Sequence, residues 1–339
     1  MRAAIFVFLL SFFYLNCYSA EYVKIKTIED YTGDVEAVAY SPDGKYVAIA
    51  TSNTFGIPIF ETTTWKRVAS PNDNGDWLTA VAFSKDGRIF AAGDRKKKVV
   101  LYNTATWKSF EVVKAGFMVN SIDLNQDGSL LAIVGEDGGA LLWNVKDNKL
   151  VKKLNQHQEI LTVAFSPDNL HFATGGRDNL VTIWNLSGII VRFLAGYENN
   201  VRTVAYSPNG KYLVSGGDDN DTAFILWDVN TGNIIRTYRS TSELGCVAAF
   251  GSDNETLALG DCRFSYGAIP QTRNAIGSCA IMLQNINREK ADQILWKGGD
   301  IAFLNSGCGL SGLAFSPDMK YLVAGYEKGD RRLIIYEKK

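Results

Sequence analysis

Two histidines, His157 and His171, are all the imidazole this 339-residue chain contains, and that scarcity limits its chemistry from the outset. An activated serine or cysteine nucleophile needs a base beside it, and a hydrolytic metal needs several nitrogen, sulfur or carboxylate ligands. His157 stands in a turn and His171 inside the strand-like run Leu170-His171-Phe172-Ala173, so neither is placed to be such a base. No Gly-x-Ser-x-Gly elbow, phosphate loop, His-Glu-x-x-His or dinucleotide fingerprint occurs either. No catalytic residue, cofactor or metal is expected.

The oxygen-rich run Asp218-Asp219-Asn220-Asp221 could serve a hard cation such as calcium, but Asp and Asn between two strands are ordinary turn residues. Asn72-Asp73-Asn74-Gly75-Asp76 lacks the later bidentate glutamate of a calcium loop. Arg95-Lys96-Lys97-Lys98 reads as a solvated hairpin tip, with contact to an anionic partner as the alternative. A formal net charge of -1, from 35 Lys plus Arg against 36 Asp plus Glu, provides no basic field, so no nucleic-acid partner is expected. Trp65 and Trp107 follow threonine-rich dipeptides at equivalent points of the chain, which marks them as packing residues rather than a platform for stacked bases.

Apart from Cys17, the cysteines are Cys246, Cys262, Cys279 and Cys308, with no Cys-x-x-Cys pair that would suggest structural zinc. In an oxidising compartment four cysteines favour disulfides, with three connectivities open. Cys262 and Cys279 flank a long insertion and are expected to staple its base. A Cys246–Cys308 bridge between neighbouring repeats is the companion expectation.

What must position these residues is a repeated phrase. It reads Val-Ala-Tyr-Ser-Pro-Asp-Gly at 38–44, Val-Ala-Phe-Ser-Lys-Asp-Gly at 81–87, and returns in variant form at 122, 163, 204, 248 and 313. The spacing is 41 to 44 residues, widening to 65 before the last copy. Alternating apolar residues make a half-buried strand, and Pro-Asp-Gly makes a tight turn into the next one. Third strands follow, ending in Leu142-Trp143-Asn144, Ile183-Trp184-Asn185 and Leu226-Trp227-Asp228. A period near 40 with four strands per copy is the pattern of propeller blades.

On these motifs the chain from Glu21 to Lys339 resembles the WD-repeat β-propeller family. The resemblance implies an all-β, seven-bladed β-propeller of four-stranded antiparallel blades. The Gly-His that usually opens a repeat is missing, so only Ser215 with Trp227 and Thr174 with Trp184 keep part of the family's His–Ser/Thr–Trp network. The last repeat has three strands before the chain stops, and Tyr22–Ile28 is a spare strand before the first repeat. The last blade is therefore expected to be closed by the N-terminal strand, which removes two exposed sheet edges. Arg263–Ser278 and Lys297–Gly307 read as long loops emerging on the upper rim.

The function that the resemblance implies is a non-enzymatic protein–protein interaction scaffold, expected to be a monomer with another protein as its partner. The alternative is an enzyme or small-ligand binder in the central channel, although the positions expected to line it are mostly small or apolar. Three residues before the alanine of each phrase lies a position that resembling propellers display on the upper rim. It holds Glu36, Thr79, Asn120, Leu161, Arg202, Cys246 and Ser311, and Asp34, Trp77, Met118 and Asn200 lie just before it. Variation on a constant scaffold marks this rim as the expected contact surface.

The N-terminus has one positive charge at Arg2, an apolar run from Ala3 to Leu15, and a small-residue exit at Ser19-Ala20. That is the layout of a secretory signal peptide over residues 1–20, too short to span a bilayer. The mature protein is expected to be exported, secreted or periplasmic. Cys17 after Leu15-Asn16 also resembles a loose lipobox, which makes a lipid anchor at Cys17 the variant expectation.

Overall fold

The computed structural model describes residues 21–339 except for 53–55, 73–76, 156–157, 218–223, 239–244, 262–279, 289–292, 297–308 and 328–331. The signal segment with Cys17, His157, the Asp218–Asp221 run, most of Asn72–Asp76, both long loops, and Cys262, Cys279 and Cys308 lie outside the described residues. Cys246 is described only as backbone, in the strand Gly245–Phe250.

Seven four-stranded antiparallel sheets make up the described chain, as the repeat count anticipated. Their innermost strands are Val35–Tyr40, Leu78–Phe83, Val119–Leu124, Ile160–Phe165, Val201–Tyr206, Gly245–Phe250 and Gly309–Phe315. Each touches the next and the seventh touches the first, so they form a ring around one axis. The second strands are buried along almost their whole length, as in Ile89–Asp94 and Tyr212–Gly217, because blades cover them on both faces. The core is thus a set of apolar clusters shared between neighbouring blades, such as Ala132, Val134 and Leu142 with Ile160, Val163 and Trp184.

The turns after the inner strands show why the phrase recurs. Ser41 donates its hydroxyl hydrogen to Asp43 Oδ1 at 2.7 Å and accepts the Tyr46 N–H at 2.9 Å, while Gly44 supplies a φ of 71°. Asn169, Asn254 and Met319 take the same left-handed position in other blades. Trp65 and Trp107 also sit at positive φ, 54° and 55°, in the turns between third and fourth strands. The Trp65 ring packs edge-on against Tyr321 of the seventh blade, and that of Trp107 against Tyr46 of the first. These are the packing roles expected of them.

The strand Tyr22–Ile28 pairs antiparallel with Leu333–Lys338, from Tyr22 opposite Lys338 to Ile28 opposite Leu333. It becomes the fourth strand of the seventh blade, and it reaches further. Tyr22 exchanges backbone N–H and carbonyl with the side-chain amide of Gln293 at 2.8 and 2.9 Å, on the outer strand of the sixth blade. Its hydroxyl donates to the Met319 carbonyl at 2.5 Å.

Two sets of β-bulges were not anticipated. Each inner strand carries one at the same place, the extra residue being Glu36, Thr79, Asn120, Leu161, Arg202, Cys246 or Ser311. Six outer strands carry the other, at Ile25, Val68, Phe110, Val151, Val191 and Ile235, and all six side chains are exposed.

Candidate functional site

The positions singled out as rim residues are the inner-strand bulges, and the bulge gives several of them a shared task. Thr79 donates to the Val119 carbonyl at 2.6 Å, Asn120 to the Ile160 carbonyl at 3.0 Å, and Ser311 to the Val35 carbonyl. Every acceptor begins the inner strand of the next blade in that pair. A bulge residue has no cross-strand partner of its own, so its side chain can latch one blade to its neighbour. The identities vary because several side chains can perform that latch, a reason for variation separate from partner contact.

Glu36 works differently. Its Oε1 accepts the indole N–H of Trp77 at 3.1 Å, and the guanidinium of Arg95 lies over the same indole, 3.9 Å from the ring centre. Trp77 remains 40% exposed. The ring is held from two sides by opposite charges, a cation–π contact on its face and a charge-assisted hydrogen bond at its edge. Arg95 thus has a defined aromatic partner rather than being only a solvated hairpin tip. A second cluster lies across the third and fourth blades, where Asn120 also donates to Glu159 Oε1 at 3.0 Å and Arg177 reaches Glu159 Oε2 at 2.5 Å.

The rim residues therefore form groups rather than one patch. Glu36 and Trp77 come together; Asn120 joins Glu159 and Arg177; Ser311 and Thr79 turn to backbone. Leu161 is half-buried and Arg202 exposed. Glu159 and Arg177 were missed because they lie on the hairpin tips and blade junctions beside the phrase, outside its alignment, and the contact of Arg95 with Trp77 was missed for the same reason.

The two pairs read from the sequence form, and one of them belongs to a larger buried network. Trp227 donates its indole N–H to Ser215 Oγ at 2.8 Å, and the Tyr197 hydroxyl meets the same oxygen at 2.9 Å. Tyr197 occupies the place where a histidine was sought, and Gly196 before it has no room for a side chain: a Cβ there would lie 2.8 Å from Ile225 Cδ1. In the fourth blade Trp184 donates to Thr174 Oγ1 at 2.9 Å. The third blade has Ile133 at that place, and its Trp143 indole N–H is buried without a partner among the described residues.

His171 lies at the start of a second strand with Nδ1 2.8 Å from Asp168 Oδ2, a local turn contact. Among the described residues no group of three or more His, Cys, Asp or Glu could hold a metal ion. No described helix is long and apolar enough to cross a membrane.

Comparison with known proteins places this geometry among relatives. The family model described as WD domain, G-beta repeat matches residues 22–55, 65–103, 110–144, 148–185 and 188–228. A stretch of 78 residues is 36% identical to the small ribosomal subunit protein RACK1 of Caenorhabditis elegans, covering 22% of this chain and 24% of that protein. Over 126 residues the chain is 29% identical to the WD repeat-containing protein SL1-17 of Schistosoma mansoni, covering 37% of this chain and 42% of that one. Over 135 residues it is 26% identical to the guanine nucleotide-binding protein subunit beta of Schizosaccharomyces pombe, covering 39% and 44%. In each case the match spans less than half of the relative's length.

Proposed function

The chain belongs to the WD domain, G-beta repeat family, and from that premise we propose that it is a non-enzymatic scaffold holding another protein against the upper rim of its ring. The Glu36–Trp77–Arg95 cluster carries this reading. An exposed indole held between a carboxylate and a guanidinium offers a partner a rigid apolar face with both signs of charge at its border. Little side-chain entropy is left to lose there, and Trp and Arg are the residue types that most often dominate interface energy. Two of the relatives are named as subunits of larger assemblies, which supports the same reading. Leu161 and the exposed Arg202 extend the surface over the fourth and fifth blades.

The test is affinity measured against the protein that co-purifies with the full chain. Trp77→Ala or Arg202→Ala weakens binding by more than about 1 kcal/mol with an unchanged melting curve. Normal binding by both, with binding abolished by Lys45→Glu on the opposite rim, would place the site on the wrong face.

Residues 1–20 are proposed as an export leader cleaved after Ser19 or Ala20, giving a secreted or periplasmic monomer. The apolar run behind Arg2 supports this. The intact mass of the mature protein separates cleavage near residue 20 from lipid attachment at Cys17. Non-reducing peptide mapping is expected to recover Cys262–Cys279 and Cys246–Cys308, and four free thiols would overturn both bridges.

A further inference from the structure

A cavity of about 450 Å³ opens at the lower end of the ring, opposite the rim described above. Lys85, Asp123, Gln126, Phe165, Tyr206 and Phe250 line it, and they come from the second to the sixth blades in order. Only the axis of a ring brings five consecutive blades to one space, so the cavity is the lower part of the central channel. Its volume lies within the ordinary range of small-molecule pockets.

One residue breaks the lining's pattern. The second position of the inner-strand phrase is Ala39, Ala82, Ala164, Ala205, Ala249 and Ala314 in six repeats, and Asp123 in the remaining one. Asp123 Oδ2 accepts the Phe165 N–H at 2.7 Å, and Oδ1 the Leu124 N–H at 2.9 Å. A carboxylate can accept about four hydrogen bonds, so capacity remains. Burial pushes this carboxyl above the usual carboxylate range, partly offset by the charge of Lys85 and those two backbone donors. Lys85 lies near enough to act through space, but no ion pair between the two forms within 4.0 Å among the described residues. A partly buried carboxylate that no cation touches directly is costly to keep.

Phe165, Tyr206 and Phe250 also belong to the lining, with the Tyr206 hydroxyl itself buried behind the cavity surface. The cavity thus combines a carboxyl that no cation touches directly among the described residues with aromatic residues in its wall. Ammonium groups bind favourably to such carboxylates and to aromatic faces, while an apolar body fills the remaining wall.

We propose that the lower channel binds a small organic amine in its protonated form, with the ammonium on Asp123 and the apolar body against the aromatic part of the lining. This site is independent of the rim reading. The probe pair is phenethylamine and its neutral isostere 2-phenylethanol, titrated calorimetrically into the full chain. Phenethylamine is expected to bind saturably, and the alcohol about tenfold or more weaker. Asp123→Asn reduces the amine to the alcohol's affinity, and Lys149→Gln on an exposed outer strand leaves it unchanged. Where Asp123→Asn fails to fold, Asp123→Ala, the residue of the six other repeats, carries the same test. Equal affinity for amine and alcohol, amine binding insensitive to Asp123, or no saturable binding would each overturn the proposal.

Discussion

Ser215 is the residue whose surroundings make the sharpest statement about stability. Its oxygen meets both the Trp227 indole and the Tyr197 hydroxyl in a dry interior, so removing it takes a hydrogen bond from two polar groups at once. Ser215→Ala is therefore expected to cost about 2–3 kcal/mol, and Tyr197→Phe, which removes one bond and leaves the Trp227–Ser215 pair intact, about 1 kcal/mol. Urea unfolding of the two variants checks the order, and equal small losses would show that the network carries no weight. The strand half of this network was legible as Ser215 and Trp227. Tyr197 was not, because a search for Gly-His passes over Gly196-Tyr197, although the glycine and its distance from Val201 carried the signal. Asp123 escaped notice for a related reason: a single acid in an alanine column reads as tolerated variation until the ring shows that the column faces a cavity.

At the scale of elements, the turns that the repeated phrase announces are held by carboxylates whose charged forms the fold prefers. The Ser316 hydroxyl and the Lys320 N–H hold Asp318 below the usual carboxylate range, and the Ser129 hydroxyl and N–H do the same for Asp127. At Asp43 burial works the other way, but donors from Ser41 and Lys45 outweigh it. A carboxyl whose folded pKa is depressed stabilises the fold above its unfolded pKa, near 3.9, and loses that contribution as pH falls through the folded value. The urea midpoint should thus hold steady from about pH 7 to pH 5 and drop below about pH 4. The drop should shrink in the double variant Asp127→Asn with Asp318→Asn; an identical acid profile would exclude these turns as its source. The turns and strands were readable because Pro-Asp-Gly and apolar alternation are local signals. The bulges were not, since a one-residue slip in register leaves no mark on composition. Those of the outer strands place an exposed apolar residue, such as Val191 or Phe110, beside a charged one, here Arg192 or Glu111, on edges where a regular strand would invite pairing with another chain.

At the scale of the whole molecule, the first strand secures the ring. Tyr22 and Ile28 are buried, and their burial alone contributes about 3–6 kcal/mol, a large part of the 5–15 kcal/mol typical of a folded protein. Removing residues 21–29 should sharply lower the melting temperature, as the edge of Leu333–Lys338 and the Gln293 amide both lose their partners. An unchanged melting curve would refute closure by this strand. The same pairing sets a schedule for biosynthesis. Tyr22–Ile28 leaves the ribosome well before Leu333–Lys338 does. At roughly 5–20 residues per second, the intervening chain takes about 15–60 s to make. For that interval the leading strand has no mate, and a nascent chain stopped short of Leu333 stays an open arc with two adhesive ends. Closure thus waits for the seventh blade to be made, and whatever guards that strand in the meantime decides how much of the protein reaches its ring.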